Sequence, residues 1–163
     1  MFGIEDARKE VLAGVEDLTD EQLNREVEEG RWTIAQVLEH LFLIEKEMTR
    51  TIEKELAKED NEPARKKKPI ELTLERSGAE REAPEPFQPT SEFMTLAEIK
   101  ERLDHSRATL MKALHVVEDD AILSQKSAKH PAFGTMDLEQ WIEFIGLHER
   151  RHLKQIEELK AGL

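Results

Sequence analysis

The chain has 163 residues, of which 37% are charged, and its formal net charge is −12 at pH 7. That length suits one domain with a real hydrophobic core, so we expect a single domain over residues 1–163. The negative charge makes nucleic acids and anionic membranes poor partners. The chain has no cysteine, which excludes disulfides, thiolate metal ligands and a cysteine nucleophile, and favours a reducing cytoplasmic compartment.

Targeting and membrane signals are absent from the sequence. The first residues, "MFGIEDARKE", lack a basic segment followed by an apolar one, so we expect no secretory signal. No run approaches the roughly 18 consecutive apolar residues that a membrane span needs. The basic cluster Arg65-Lys66-Lys67-Lys68 is short, and we interpret it as a solvated loop rather than a nucleic-acid patch. These features predict a soluble cytoplasmic protein.

Four segments carry the apolar periodicity of amphipathic helices. The first predicted helix covers about residues 3–18. Thr19 then opens a short piece, which Gly30 ends. The second predicted helix runs over about residues 33–58 and begins with a capping-box pattern, in which a threonine is followed three residues later by glutamine.

The third predicted helix begins at Thr95 with another capping-box pattern, and the fourth begins near Asp137. Between the second and third lies a polar stretch, residues 59–94, which holds five of the six prolines and is long enough for a crossover. Its segment "PIELTLE" alternates like a strand, but one strand cannot make a sheet. We predict an all-α four-helix bundle with a long crossover connection between helices two and three.

The fourth predicted helix contains His148-Glu149-Arg150-Arg151-His152, a literal match to the H-E-x-x-H zinc signature of metalloproteases. On a helix that turns about 100° per residue, His148 and His152 share one face, and that face carries the apolar stripe. Two imidazoles in this relation can bind one metal ion. The alternative is two core histidines whose polar atoms are satisfied by other side chains.

The remaining histidines differ in how well they suit a third ligand position. His40 flanks the apolar stripe of the second predicted helix and is the best available third donor. His105 lies opposite the stripe of its helix, and His115 lies near the helix end, where a cation suits the helix dipole. His130 precedes Pro131 in a predicted loop and would reach the site only if that loop folded over the mouth of the bundle.

Three charged residues interrupt the apolar stripes: Glu45, Arg107 and Glu149. Buried charges are rarely left unpaired. We therefore predict that Arg107 pairs with Glu45 or Glu149 in a polar cluster beside the histidines, where the cluster could orient imidazole N–H groups. The alternative is that these charges lie on a wide solvent-facing edge.

The protease interpretation of the H-E-x-x-H match fails on the residues around it. A zincin takes its third ligand from well downstream of that helix, whereas only "LKQIEELKAGL" follows His152 and it holds no histidine. No predicted sheet is available to present a peptide substrate along a strand edge. We do not expect a zincin protease.

Three segments resemble the DinB-like proteins: "RWTIAQVLEHL", "APEPFQP" and "HPAFGTMDLEQWIEFIGLHERRHLKQIEEL". The closer similarity is to the branch containing the YfiT and bacillithiol-transferase type proteins, and it runs over most of the chain. The resemblance implies a bundle with a crossover connection, a divalent transition metal (zinc or nickel) and a homodimer. It places the metal ligands on His40, His148 and His152.

The better-understood members of that family resemble metal-dependent thiol S-transferases, and others resemble hydrolases. A divalent ion on three neutral imidazoles keeps an open position, where it would make a low-molecular-weight thiol acidic or, with water in its place, support hydrolysis. Glu149 or Glu45 could accept the proton, and Glu149 is our candidate catalytic residue. We therefore predict a metal-dependent thiol S-transferase or hydrolase for a small molecule; the alternative is a non-catalytic metal-binding or stress-related bundle.

Overall fold

The computed structural model describes residues 2–75 and 87–163. Its elements follow in the order α1 (Ile4–Val15), α2 (Asp20–Leu23), α3 (Ile34–Leu56), a 3₁₀ helix (Ile70–Glu75), α4 (Leu96–His115), α5 (Ala121–Gln125), β1 (Ser127–His130), β2 (Gly134–Asp137) and α6 (Leu138–Ala161). The long helices α1, α3, α4 and α6 form the bundle, which confirms the predicted all-α four-helix architecture. In the described part of the chain, no helix is both long and apolar enough to cross a membrane.

The helix starts follow the threonine patterns in the sequence. Thr33 Oγ1 accepts the N–H of Gln36 at 3.1 Å, and Gln36 Oε1 accepts the N–H of Thr33 at 2.9 Å. The same reciprocal capping box begins α2 at Thr19 and α4 at Thr95. The carboxylate of Asp137 accepts a main-chain N–H in the first turn of α6. These side chains satisfy N–H groups that have no partner within a helix, and so they define where each helix begins.

The bundle is held by contacts of α6 with α1 and α3, and of α3 with α4. Each helix turns its apolar stripe inward, and two apolar clusters result. One is built around Leu138 and Ile142 of α6, and the other around Leu38 of α3 and Ile99 of α4. The polar groups that interrupt these clusters are the histidines and charges that the sequence singles out.

The segment "PIELTLE" is a 3₁₀ helix and not strand-like, so this interpretation of its pattern is wrong. Ile70 and Thr73 are buried while Glu71 and Leu72 are exposed, which is the spacing of three that a 3₁₀ helix gives. The 3₁₀ helix packs on α6. Residues 76–86, which include most of the "APEPFQP" motif, lie outside the described residues.

Main-chain and ionic contacts attach the first part of the crossover to α6. The side-chain amide of Gln140 accepts the N–H of Lys68 and donates to the Lys68 carbonyl, both at 2.8 Å. The Nζ of Lys67 lies 2.7 Å from Oδ2 of Asp137. Lys67 is exposed, so the basic cluster is at the surface, as predicted, and one of its members also fixes the connection.

Residues that the sequence analysis assigns to a loop form a short antiparallel hairpin of β1 and β2 before α6, in which His130 pairs with Gly134. Gly134 has φ +76°, a left-handed conformation that glycine adopts at low cost. The indole N–H of Trp141 donates to the Ala128 carbonyl at 3.0 Å and holds the hairpin against α6. The expectation that no sheet forms is therefore wrong, although the fold class is unchanged.

Candidate metal centre

Three buried imidazoles meet between α3 and α6. The Nε2 of His148 lies 3.3 Å from Nε2 of His40 and 3.1 Å from Nε2 of His152. The exposed fractions of His40, His148 and His152 are 5%, 7% and 8%. One ligand nitrogen from each ring lies within 4.8 Å of the other two. The structure thus brings together the three histidines that the sequence nominates as ligands.

Hydrogen bonds at the far side of two rings determine where their protons lie. The Nδ1 of His40 lies 2.8 Å from the main-chain oxygen of Phe87, and the Nδ1 of His152 lies 2.8 Å from Oε1 of Gln155. Because these oxygens accept, each Nδ1 donates, and in a neutral imidazole the Nε2 then carries a lone pair. Both lone pairs point towards His148, whose Nε2 can carry only one proton. A cation among the three nitrogens satisfies all of them at once.

The nitrogen–nitrogen distances also suit a metal ion. Metal–nitrogen bonds of about 2.0–2.1 Å at tetrahedral angles separate neighbouring nitrogens by roughly 3.3–3.4 Å. The observed Nε2 separations of 3.1 and 3.3 Å lie close to that range. A donor set of imidazoles suits zinc, nickel, copper, cobalt or iron. The residues therefore fit a divalent transition metal.

The surroundings keep the three imidazoles neutral. Burial lowers the pKa of His148 well below its ordinary value, and repulsion from His152 and His40 lowers it further. Burial and His40 together lower the pKa of His152 to about 3. Burial also lowers the pKa of His40, although its hydrogen bond to Phe87 acts in the opposite direction. Neutral imidazole is the form that binds a metal ion.

Aromatic rings surround the histidines. The ring of Trp32 lies 5.0 Å from that of His40, and the ring of Phe144 lies 5.6 Å from that of His148 at an angle of 27° between planes. His130, at the end of β1, is buried, and its ring lies 4.4 Å from that of Phe144. An apolar surrounding of this kind limits solvent access to a metal site.

The other histidines lie outside the group of ligand atoms. His130 contacts Phe144, which also stacks on His148, and the Nδ1 of His130 accepts the N–H of Ala132 at 3.0 Å. The hairpin, which the sequence did not predict, is what brings it there. His105 and His115 are both exposed on α4.

A second group of polar residues, which we call the ion cluster, consists of Arg8, Glu45, Arg107 and Glu149. Arg107 Nε lies 2.7 Å from Glu45 Oε2, and its Nη2 lies 2.5 Å from Glu149 Oε1. Arg8 Nη2 lies 3.0 Å from Glu45 Oε1 and 3.2 Å from Glu149 Oε1. Each of the four long helices contributes one member, and Arg107 makes both of the pairs that the sequence analysis offered as alternatives.

Arg8 was missed by the sequence analysis, although a signal for it exists. It lies four residues after Ile4 and three before Val11, both buried members of the α1 stripe, so its side chain starts from the inward face. The guanidinium also donates to the main-chain oxygen of Leu103 at 2.8 Å. Because this charge is buried and paired on three helices, it is a part of the core.

The ion cluster does not orient the imidazoles, so the prediction that it holds their N–H groups is wrong. Among residues 2–75 and 87–163, the Nδ1 atoms of His40 and His152 bond to Phe87 and Gln155, and no hydrogen bond joins the cluster to an imidazole. Gln155 lies in a segment that carries the family resemblance, but nothing in its sequence position assigns it this contact. The sequence could not mark Phe87, because the contact uses a main-chain carbonyl.

The candidate catalytic residue Glu149 belongs to the ion cluster. Its Oε1 accepts from Arg8 and Arg107, and its Oε2 accepts from Arg8 Nε at 3.2 Å. The side chain is 2% exposed. Burial raises the pKa of Glu149, and the charges of Arg8 and Arg107 oppose that rise. The structure does not bring Glu149 into the group formed by the three histidines.

Comparison with known proteins gives a consistent result. A family model described as the DinB superfamily matches residues 4–156. The uncharacterized protein YuaE of Bacillus subtilis (strain 168) is 32% identical over 158 residues, which cover 97% of this chain and 95% of that protein. A crystal structure of TT2238, a four-helix bundle protein, matches with a TM-score of 0.63 and 21% identity, and covers 95% of this chain and 93% of that one. At that identity the structural likeness shows the fold alone.

Proposed function

We propose that this chain, which belongs to the DinB superfamily, is a metal-dependent enzyme that acts on a small molecule through His40, His148 and His152. The observation that carries the proposal is the approach of their Nε2 atoms to 3.1 and 3.3 Å, in a geometry where two of them present lone pairs. Zinc or nickel is the metal we expect.

His40, His148 and His152 would hold a divalent ion, which would acidify a bound thiol or water and so supply a nucleophile near neutral pH. In an S-transfer, the sulfur of a small thiol forms the new bond to carbon, its proton passes to solvent, and the leaving group departs with the bonding electrons. In a hydrolysis, water replaces the thiol. Because the chain has no cysteine, the thiol in the first reaction must be a small-molecule substrate.

The chain's own residues prepare the site for this chemistry. The carbonyl of Phe87 and the amide oxygen of Gln155 hold protons on Nδ1 of His40 and His152, which leaves each Nε2 free to act as a ligand. The rings of Trp32 and Phe144 pack against His40 and His148 and would limit the access of water. These contacts support a dry site with ligands fixed in advance.

We assign Glu149 to the ion cluster and not to proton transfer. A general base must reach the proton that it abstracts, and both carboxylate oxygens of Glu149 already accept from guanidinium groups. This assignment also explains the H-E-x-x-H match without a protease. The glutamate holds helices together while the flanking histidines face the ligand site.

The burial of the imidazoles favours a second candidate, a non-catalytic metal-binding bundle. The exposed fractions of the three ligands are only 5–8%, and closed sites are typical of structural metal ions. The two candidates share the metal and differ in turnover.

Metal analysis of the full chain, purified without a His-tag, tests what the candidates share. We expect about one equivalent of a transition metal in the wild type and in His105→Ala, which alters an exposed histidine, and none in His148→Ala. Less than about a tenth of an equivalent in the wild type, with a melting temperature unchanged by added zinc or nickel, would overturn the proposal of a metal site.

A turnover screen then separates the candidates. Small thiols are incubated with the electrophile monochlorobimane, and simple esters are tested for hydrolysis. Turnover that is lost in His152→Ala and kept in His105→Ala supports the enzyme; full metal occupancy without turnover supports the non-catalytic bundle. The homodimer implied by the sequence resemblance stays a prediction, which light scattering on the purified protein tests.

A further inference from the structure

We propose that Glu39 is a positioning residue for the metal centre. It holds Thr90 in the last part of the crossover, and this contact places the Phe87 carbonyl on Nδ1 of His40. The inference rests on the proposed function, in which His40 is a metal ligand. It makes the crossover a functional part of the site.

Glu39 is a buried carboxylate whose two oxygens both accept hydrogen bonds from one residue, Thr90. It precedes His40 on α3 and is 3% exposed. Its Oε1 accepts the main-chain N–H of Thr90 at 3.1 Å, and its Oε2 accepts from the Thr90 hydroxyl at 3.3 Å. Within the described ranges, no ion pair involves Glu39. A buried carboxylate is costly unless such bonds compensate it, so the contact with Thr90 is its compensation.

Gln36 holds the same residue from one turn earlier. Its Nε2 donates to the main-chain oxygen of Thr90 at 3.0 Å. Thr90 is therefore bonded through its N–H, its hydroxyl and its carbonyl, always by side chains of α3. Gln36, Glu39 and His40 stand at positions i, i+3 and i+4, which lie on one face of a helix. The segment from Phe87 to Thr90 must follow that face.

The Nδ1 partner of His40 lies in the crossover, whereas the Nδ1 partner of His152 lies in its own helix. The acceptor for His152 is Gln155, three residues on in the same helix, so that contact forms whenever α6 does. The acceptor for His40 is a main-chain oxygen 47 residues away, and it needs separate anchoring. Pro89 lies between Phe87 and Thr90, and its ring fixes φ. Once Thr90 is held, the proline narrows the range of positions that Phe87 can take.

Loss of the contact with Thr90 would weaken metal binding by changing which nitrogen of His40 carries the proton. Without an acceptor at Nδ1, the imidazole can move its proton to Nε2, and the lone pair that binds metal is lost. Outer contacts to metal-ligating histidines commonly change metal affinity by about 10–100-fold. Glu39 thus affects the metal without touching it.

The first test measures Co²⁺ affinity of the full chain, by visible absorption in competition with a chelator. Glu39→Ala removes both acceptors, and we expect about 10–100-fold weaker binding. Glu39→Gln keeps one oxygen for the Thr90 N–H, so it should recover most of the affinity. The control Glu53→Ala removes an exposed carboxylate of the same helix and should bind as the wild type does. Wild-type affinity in Glu39→Ala would overturn the proposal.

The second test reads the tautomer of His40 by ¹⁵N NMR of the metal-free protein. We expect the proton on Nδ1 in the wild type and a mixture of both tautomers in Glu39→Ala; an unchanged tautomer would contradict the proposal. If wild-type protein binds no Co²⁺, the proposed function fails, and the tautomer comparison alone decides this inference.

A further variant covers the case in which Glu39→Ala does not fold. Gln36→Glu keeps an oxygen that can accept the Thr33 N–H in the capping box, and it removes the donor to the Thr90 carbonyl. We expect this variant to fold, to bind Co²⁺ several-fold more weakly and to show the mixed tautomer of His40. Glu39 still accepts from the N–H and hydroxyl of Thr90 in this variant, so a double variant, Gln36→Glu with Thr90→Val, also removes the hydroxyl. Wild-type affinity and tautomer in both variants would overturn the proposal that Thr90 must be held.

Discussion

Arg107, whose side chain is 14% exposed, and Glu149, whose side chain is 2% exposed, form an ion pair with 2.5 Å between Nη2 and Oε1. The pair belongs to the ion cluster, which joins all four long helices of the bundle. Glu149 directly follows His148 in α6, and Glu45 follows His40 by little more than one turn of α3. The cluster therefore fixes α3 and α6, the two helices that carry the histidines, relative to each other. In the part of the chain that the structure describes, it does so without a hydrogen bond to the histidines themselves.

Substitution of Glu149 should be strongly destabilising. In Glu149→Leu the guanidinium groups of Arg8 and Arg107 lose a partner in the core, and removing one member of a buried pair costs about 3–5 kcal/mol. We expect a loss of that size in the free energy of unfolding, measured by urea denaturation of the metal-free protein at neutral pH.

The adjacent arginine provides the control. Arg150 pairs with Glu10 at 2.9 Å, but the two side chains are 36% and 52% exposed. Arg150→Leu should therefore cost no more than about 1 kcal/mol. Equal effects of Glu149→Leu and Arg150→Leu would show that the ion cluster contributes no more than a surface pair.

Metal should stabilise the folded protein, because only folding brings α3 and α6 together around the three nitrogens. A ligand that binds the folded state alone adds about 2.7 kcal/mol at 100 times its dissociation constant. We expect zinc or nickel to raise the melting temperature of the wild type and of His105→Gln, and to leave His148→Gln unchanged. An equal rise in His148→Gln would place the ion elsewhere.

The fold was predictable where its signals are local. Thr33 and Thr95 mark helix starts through contacts within one turn, and the apolar stripes extend over many turns. The hairpin was missed because each strand has only four residues, too few for a periodic signal. In the 3₁₀ helix, Ile70, Leu72 and Leu74 alternate with polar residues as they would in a strand, whereas the structure buries Ile70 and Thr73 and exposes Leu72.

The metal centre, like the fold, was predictable where its signals lie within one helix. His148 and His152 are identified by their spacing on an apolar stripe, and His40 follows as a partner from another helix. The contacts that hold their protons were not predictable from sequence, since Phe87 contributes a carbonyl that every residue has. Arg8 looked like an ordinary charge on an amphipathic helix, because its partners come from three distant segments.

The three buried histidines should make the stability of the metal-free protein depend on pH. Burial lowers the pKa of His148 and His40, and lowers that of His152 to about 3, whereas a histidine in the unfolded chain has a pKa of about 6.5. Below that value the unfolded chain binds more protons than the folded one, so the free energy of unfolding rises with pH. This contribution is fully present above the unfolded pKa and is lost as the pH falls towards the folded values.

We therefore expect the metal-free wild type to lose up to about 1.4 kcal/mol per pH unit for each buried histidine as the pH falls below about 6.5. Urea denaturation at a series of pH values in the presence of a chelator measures the slope. The slope of the unfolding free energy against pH should be smaller in His152→Gln, by the contribution of one histidine. His115→Gln, which alters an exposed ring, should keep the wild-type slope. Carboxylates contribute equally to all three proteins, so the difference between slopes isolates the histidine. Identical slopes in His152→Gln and the wild type would mean that the buried ring is protonated as readily as it is in the unfolded chain.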